Sequence, residues 1–334
     1  MKIKKKAVVC IALAAMMTIS LPGCGRKDKN ATLETGTVSD NSVVMLVGNE
    51  PVRFSEIKDY CYFLKCQYEG NFGEELWNYP IGDSETIGDQ AKQEIVNMIT
   101  QLKIICAKAK EENITLTADE QDEALRQAEE LVANATKKDK KEYKLSVQEL
   151  TEIYKENALA SKMFYIATDD ADTNISDEQA RQVSLQYVQI LTNGTNKNGV
   201  QVKMDEQTKK KALKRAIRLA QEAARTEDFL TFAQQNTEAQ QAELTIGRDT
   251  DKLEKTVVDA AFSMQTGEIS EVIEGEQGYY ILYCVNQEDE EATRQRKEEI
   301  IQERQTAMFM DKYSQWMQGK KVDINQSFWN EFSI

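Results

Sequence analysis

Residues 261–285, AFSMQTGEISEVIEGEQGYYILYCV, decide the fold. Leu253, Val257, Ala260, Ala261 and Met264 recur at helical spacing, which predicts a helix over Asp251–Gln265 with one apolar face. Gly267 stands just past its end, where a left-handed residue closes a helix at no steric cost. Gly275–Gly278 reads as a turn. Tyr279–Val285, rich in aromatic and β-branched residues, reads as a buried strand. Upstream, Leu185–Leu191 alternates in the manner of a strand. Asp205–Arg225 carries Ala212, Ala216, Ala220 and Ala223 as a helical stripe beside Leu213, Ile217 and Ala224. The order is strand, long helix, short helix, helix, strand, strand: a small α/β domain over Ser184–Asn286.

The N-terminus bears on compartment. MKIKKK is a basic n-region and AVVCIALAAMMTISL an apolar h-region, too short for a confident spanning helix, which needs about 20 apolar residues. Leu21-Pro22-Gly23-Cys24 resembles the bacterial lipobox, in which the chain is cut before the cysteine and a diacylglycerol is attached to it. Residues 1–23 are then a lipoprotein signal peptide, Cys24 the lipid site, and 24–42 a polar tether.

Composition narrows the rest. The formal charge is −14, and losing the four lysines of residues 1–23 takes it to −18. So acidic a chain repels nucleic acid, and nucleic-acid binding is discarded. Cys61, Cys66, Cys106 and Cys284 sit in apolar or helical contexts and read as buried thiols. A disulfide or metal role is the alternative, but no CxxC supports it and the chain holds no histidine. Without histidine, zinc-hydrolase, Ser-His-Asp and Cys-His mechanisms lack their base. No P-loop or dinucleotide fingerprint is present, so neither cofactor nor metal is expected.

The flanks are helical. Val43–Val47 reads as a strand, Gly48–Pro51 as a turn and Ser55 as the cap of a helix to about Gln67. Capping boxes are expected at Thr117 with Glu120, Ser146 with Glu149 and Ser176 with Gln179. A helix over Asp89–Glu112 carries Ile95, Met98, Ile99, Leu102, Ile105, Cys106 and Ala109 on one face. Glu288–Gln318 is another long helix, followed by an extended Lys320–Asn325.

The ending of the α/β domain is similar to the C-terminal half of a parvulin, the PpiC-type peptidyl-prolyl isomerase domain. VVMLVGNEPVRFSEIKDY, QLKIICAKAKEENITLTADEQDEAL and LSVQELTEIYKENALASKMF, in that order, resemble the PrsA and SurA foldases. The resemblance implies an α+β protein: a helical chaperone domain formed by 43–183 together with a C-terminal helix and tail, 288–334, and an inserted parvulin-like domain, 184–287. It implies a foldase or chaperone, lipid-anchored on the outer face of the bacterial cytoplasmic membrane, whose partners are unfolded or partly folded secreted polypeptides.

Rotation about an X–Pro bond needs no nucleophile; its barrier, about 18–20 kcal/mol, is lost amide resonance. A catalyst need only hold the proline ring in an apolar pocket and favour the twisted amide. By the resemblance, Leu253, Val257 and Phe262 form the pocket wall, with Val257 smaller than the usual aromatic. Gln189 and Tyr280 fall where the family has its histidines, Glu238 falls near its Cys or Asp, and its Gly-Asp-Leu-Gly loop shrinks to Thr245-Ile246-Gly247. The site therefore reads as degenerate, with isomerase activity weak or absent. Plainer readings stand beside these: Tyr280 as sheet packing, Gln189 as a solvated strand residue, Leu253 and Val257 as helix core, Glu238 as solvent-exposed. The basic helix face Lys209, Lys210, Lys211, Lys214, Arg215 and Arg218 reads as solvated. The alternative function is a non-enzymatic scaffold or binding lipoprotein that displays the parvulin-like module to one partner.

Overall fold

The structure, a computed structural model, describes residues 33, 38–82, 85–195, 201–203 and 205–334. The proposed signal peptide, Cys24 and most of the tether lie outside them; of residues 24–42, only 33 and 38–42 are described. The fold is α+β, and the chain divides into two compact units, one ending at Asp170 and resuming at Ala307–Ile334, the other Ala171–Thr306.

The first unit begins with a hairpin of β1 (Val43–Val47) and β2 (Glu50–Arg53), turned at Gly48 in the left-handed region, φ 60°. Gly48 and Asn49 turn as expected, whereas Glu50 and Pro51, expected in the turn, begin a second strand. The helix α1 (Phe54–Phe72) follows directly. Ser55 is not its cap: Arg53 holds that position without a side-chain bond, and Ser55 is the second residue of the helix, buried. The first amides are met by backbone instead, Phe54 N donating to Ser42 O at 3.0 Å and Ser55 N to Asp40 O at 2.9 Å.

A short antiparallel pair, β3 (Pro80–Ile81) and β4 (Glu85–Thr86), leads into α2 (Ile87–Glu111), opened by a Thr86–Asp89 capping box that the sequence reading did not anticipate. Its apolar face, Ile95 to Ala109, is buried as the spacing predicts, with Cys106 half-buried. Three helices complete the stretch: α3 (Ala118–Asn134), α4 (Lys137–Glu142) and α5 (Val147–Ala167). The Thr117–Glu120 box forms in full. At Ser146 the bond that Glu149 N donates to Ser146 Oγ forms, without the reciprocal half of the box.

The second unit opens with α6 (Asp177–Ala180), capped by the expected Ser176–Gln179 box. Its sheet has the order β8 (Glu243–Ile246), β5 (Val183–Leu191), β10 (Gly278–Asn286), β9 (Ile273–Glu274), all antiparallel. A small hairpin, β6 (Asn193–Thr195) with β7 (Gln201–Lys203), precedes α7 (Glu206–Ala223) and α8 (Phe229–Asn236). Alternation splits the sheet between two cores. Leu185, Tyr187, Tyr280 and Leu282 pack with Val257, Val258, Ala261 and Phe262 of α9 (Lys255–Ser263). Val188, Ile190, Tyr279 and Ile281 pack with the alanine stripe of α7 and with Phe229 and Ala233 of α8. Thr245 and Ile246, read from sequence as loop, lie in the edge strand β8, and α9 is shorter at both ends than predicted.

The cuts between the units fall outside 184–287 on both sides, and the flanking residues of the second unit are tied to that stretch or to each other. Arg181 donates to Gln287 O, Lys297 pairs with Asp177, and Arg304 with Asp172. The helix α10 (Glu290–Met317) contains the second cut, and its later residues Phe309 and Tyr313 lie in the core of the first unit. There β11 (Val322–Ile324) pairs antiparallel with β1, Met45 opposite Ile324, and α11 (Gln326–Glu331) adds Trp329 to that core. Among the described residues no helix is long and apolar enough to cross a membrane.

Candidate functional site

The pairing of β5 with β10 sets Gln189 directly opposite Tyr280, both on the sheet face that α9 covers. Gln189 Nε2 donates to Tyr280 Oη at 2.8 Å, and Tyr280 Oη donates to Glu254 Oε1 at 2.8 Å. Glu254 was missed in the sequence because it was read as an ordinary residue inside a helix from Asp251. It instead stands at the N-cap of α9 and makes no cap bond. Its carboxylate also accepts the backbone amides of Glu276 and of Gln277, the latter at 2.8 Å, fastening the β9–β10 turn. Gly275 leaves room for it: a Cβ there would stand 2.6 Å from Glu254 Oε2 and push the carboxylate end aside.

Burial and the accepting carboxylate of Glu254 both raise the Tyr280 hydroxyl pKa, against a smaller opposing effect of Gln189. Tyr280 is therefore a neutral phenol whose proton is committed to Glu254. This floor can orient and hydrogen-bond, but it has none of the tautomeric exchange of paired imidazoles.

Glu238 lies elsewhere. Its backbone N–H donates to Gln189 O at 2.8 Å, while its carboxylate accepts Leu191 N at 2.8 Å and pairs with Arg215 of α7. The side chain is thus spent on the end of β5 and on α7. The Gln189 amide N–H is met by Thr237 Oγ1 at 3.0 Å.

The three wall residues share the core of Tyr280. Val257 is 0 % exposed and Phe262 6 %, whereas Leu253, just ahead of α9, is half-buried. Two guanidinium groups cover the Phe262 ring, Arg248 Cζ at 4.5 Å and Arg181 Cζ at 5.5 Å from its centroid. Arg248 is held by Glu178 at 3.2 Å. Neither arginine was singled out from sequence, since no local pattern links them to Phe262. The thiols divide by position: Cys61 and Cys284 are buried, Cys106 half-buried and Cys66 exposed, against the expectation of burial; all four are free.

Comparison with known proteins adds the following. Residues 190–286 match the family model of the rotamase PPIC-type PPIASE domain. The match takes in Glu238, Leu253, Val257, Phe262 and Tyr280 and begins one residue after Gln189. The chain is 21 % identical over 340 residues to the foldase protein PrsA of Clostridium acetobutylicum, covering 96 % of this chain and 98 % of that one. It is 22 % identical over 286 residues to the foldase protein PrsA of Caldanaerobacter subterraneus, covering 84 % and 82 %. A solved foldase PrsA from Lactococcus lactis aligns with TM-score 0.34 and 14 % identity, covering 86 % of this chain and 96 % of that one. The 171–306 unit thus carries a PPIC-type rotamase domain, within a chain similar to PrsA foldases over nearly its whole length.

Proposed function

We propose that this protein is an extracytoplasmic foldase of secreted polypeptides, held at the outer face of the cytoplasmic membrane by a lipid on Cys24, with a rotamase module whose catalytic site is degenerate. The observation that carries the reading is a PPIC-type segment set within foldase similarity covering 96 % of the chain. Degeneracy is supported by the Gln189–Tyr280–Glu254 chain, which puts an amide and a neutral phenol where the resemblance expects histidines. Leu253, Val257 and Phe262 supply the apolar wall, and a proline reaches Phe262 only when Arg248 moves aside. Glu238 acts by positioning, through β5. Buried Val257 and the covered Phe262 ring favour a second reading, a binding module without turnover that serves one partner.

Two measurements test this. Across a series of Xaa-Pro tetrapeptides the protein should accelerate isomerisation weakly, and Gln189→His with Tyr280→His and Val257→Phe should raise the rate, while unrelated unfolded proteins are kept from aggregating. Rapid turnover that Gln189→Ala or Tyr280→Phe slows strongly would mean a working catalyst; failure to protect unrelated clients would favour the single-partner module. Separately, Cys24→Ala should abolish partitioning into the detergent phase, and unchanged membrane association would overturn the anchor.

A further inference from the structure

The helical unit holds a second polar site, far in sequence from the rotamase segment. A cavity of about 420 Å³ lies where α1 and α5 begin and α2 passes, lined by five carboxylates, Glu56, Asp59, Glu149, Glu152 and Glu156, against two cations, Arg53 and Lys103. Lys103 is paired, its Nζ 2.8 Å from Glu56 Oε1 and 2.7 Å from Glu156 Oε1. Asp59 is not: it is 1 % exposed, and its Oδ2 is buried with no hydrogen-bond partner. Glu156 Oε2 is likewise buried and unpartnered. A buried polar atom without a partner costs roughly 1–3 kcal/mol, so two of them beside one cavity point to an occupant that hydrogen-bonds there, and to a donor wherever the carboxyls are ionised.

The charge balance sets its sign. The N-terminal ends of α1 and α5 contribute about half a positive charge each. With Arg53 and Lys103 they still fall short of the carboxylates, by about one charge when Asp59 is protonated and two when it is ionised. The donors do not converge as a metal requires, since among the described residues no group of three or more His, Cys, Asp or Glu could hold a metal ion. The volume is that of a small-molecule site rather than of a bare ion.

We propose that this cavity binds a small organic cation, an ammonium or guanidinium group on a short chain, whose N–H donors meet Asp59 Oδ2 and Glu156 Oε2. The cation is either a free amine or a basic side chain of a bound polypeptide; both present the same chemistry. Binding is coupled to a proton. Burial first, then Glu149 of α5 and Glu56, push the Asp59 carboxyl up to about 8, with Lys58 opposing. The charged groups facing Asp59 are therefore Glu56 and Lys58 on its own helix and Glu149 on α5, with Lys103 of α2 and Arg53 of β2 across the cavity.

The test is calorimetric titration of the full chain with butylguanidinium chloride, which stays charged throughout, at pH 7 and pH 9 and constant ionic strength. One saturable site is expected, weakened about tenfold or more by Glu149→Gln and by Glu156→Gln. Affinity should rise by up to roughly tenfold from pH 7 to 9 and stay flat in Asp59→Asn, since a proton competing at a carboxyl titrating near 8 shifts affinity by about that factor. A Gly/Ser peptide with a single arginine separates the sources: its binding at the same site identifies a polypeptide side chain, and binding of butylguanidinium alone identifies a free amine. Melting curves of each variant establish that it is folded, and if Glu156→Gln is not, Glu149→Gln and Asp59→Asn carry the comparison. Absence of saturable binding, equal competition by sodium or magnesium, or affinity unchanged in folded variants overturns the proposal.

Discussion

Single residues carry most of the chemistry here, and Asp59 shows how much one can be worth. Its folded-state carboxyl is raised to about 8, well above the ordinary value of an unfolded chain. Between those values the native state holds a proton that the unfolded state has released. The stability Asp59 contributes is thus fully present below about pH 4 and is lost as pH rises toward 8. Asp59→Asn, which keeps the neutral form at every pH, should stabilise the protein at pH 8 by on the order of 2–4 kcal/mol and flatten the dependence between pH 5 and 8. Urea denaturation across that range measures it; a variant less stable than the parent at pH 8 would mean that Asp59 is ionised and paired in the native state. Glu254 teaches the opposite lesson about legibility. The family resemblance grouped Gln189, Tyr280, Leu253, Val257 and Phe262 in one site, and the alternation along 185–191 and the helical spacing of Leu253 and Val257 were the part a sequence displays. That Tyr280 donates its hydrogen bond to Glu254 depends on where α9 begins, a matter of a few residues settled by the carboxylate's three contacts and not by propensity.

At the scale of elements, the central pair β5–β10 is held by a close approach that only glycine permits. A Cβ on Gly278 would stand 2.2 Å from Ile190 O, a backbone atom that cannot swing away. Gly278→Ala should therefore destabilise the 171–306 unit by about 1–3 kcal/mol, the cost of an overpacked site. Gly194→Ala, with nothing within 4 Å, should stay within about 0.5 kcal/mol, and thermal melts of the two side by side check the contrast. The elements that reading could find were those with a full period on show: β5, β10, α2, α7 and the boxes at Thr117 and Ser176. Those it missed had none. The strand β8 is four residues long with a glutamate and a threonine facing out, and β2 contains Pro51, which speaks for a turn until β1 is seen beside it. Ser55 looked like a cap because its residue type favours one, yet the carbonyls of Asp40 and Ser42 had already met the amides a cap would serve.

At the scale of the molecule, the two units differ in how the chain supplies them. Residues 171–306 are contiguous, whereas the helical unit needs residues from both flanks. Phe309 is 1 % exposed and packs on Phe164 at 5.1 Å, while Phe328 and Phe332 close on Phe54 at 4.9 and 5.6 Å. Ending the chain at Met317 removes β11 and α11, so it should lower the melting transition of the helical unit by several degrees while leaving that of 171–306 in place; for domains of this size about 1 kcal/mol moves the midpoint by roughly 2–8 °C. One unshifted transition for the whole chain would show that β11 contributes nothing to stability. The pairing of Met45 with Ile324 also sets a clock. A strand made early has its partner among the residues made late, so the ribosome releases β1 long before its second neighbour exists. Contacts so distant in sequence are slow to close, and until then β1 keeps an open edge. The contiguous unit is under no such delay. Pulse-labelled exchange during refolding should find the amides of Val183–Leu191 protected before those of Val43–Val47, the middle of the chain maturing ahead of its beginning.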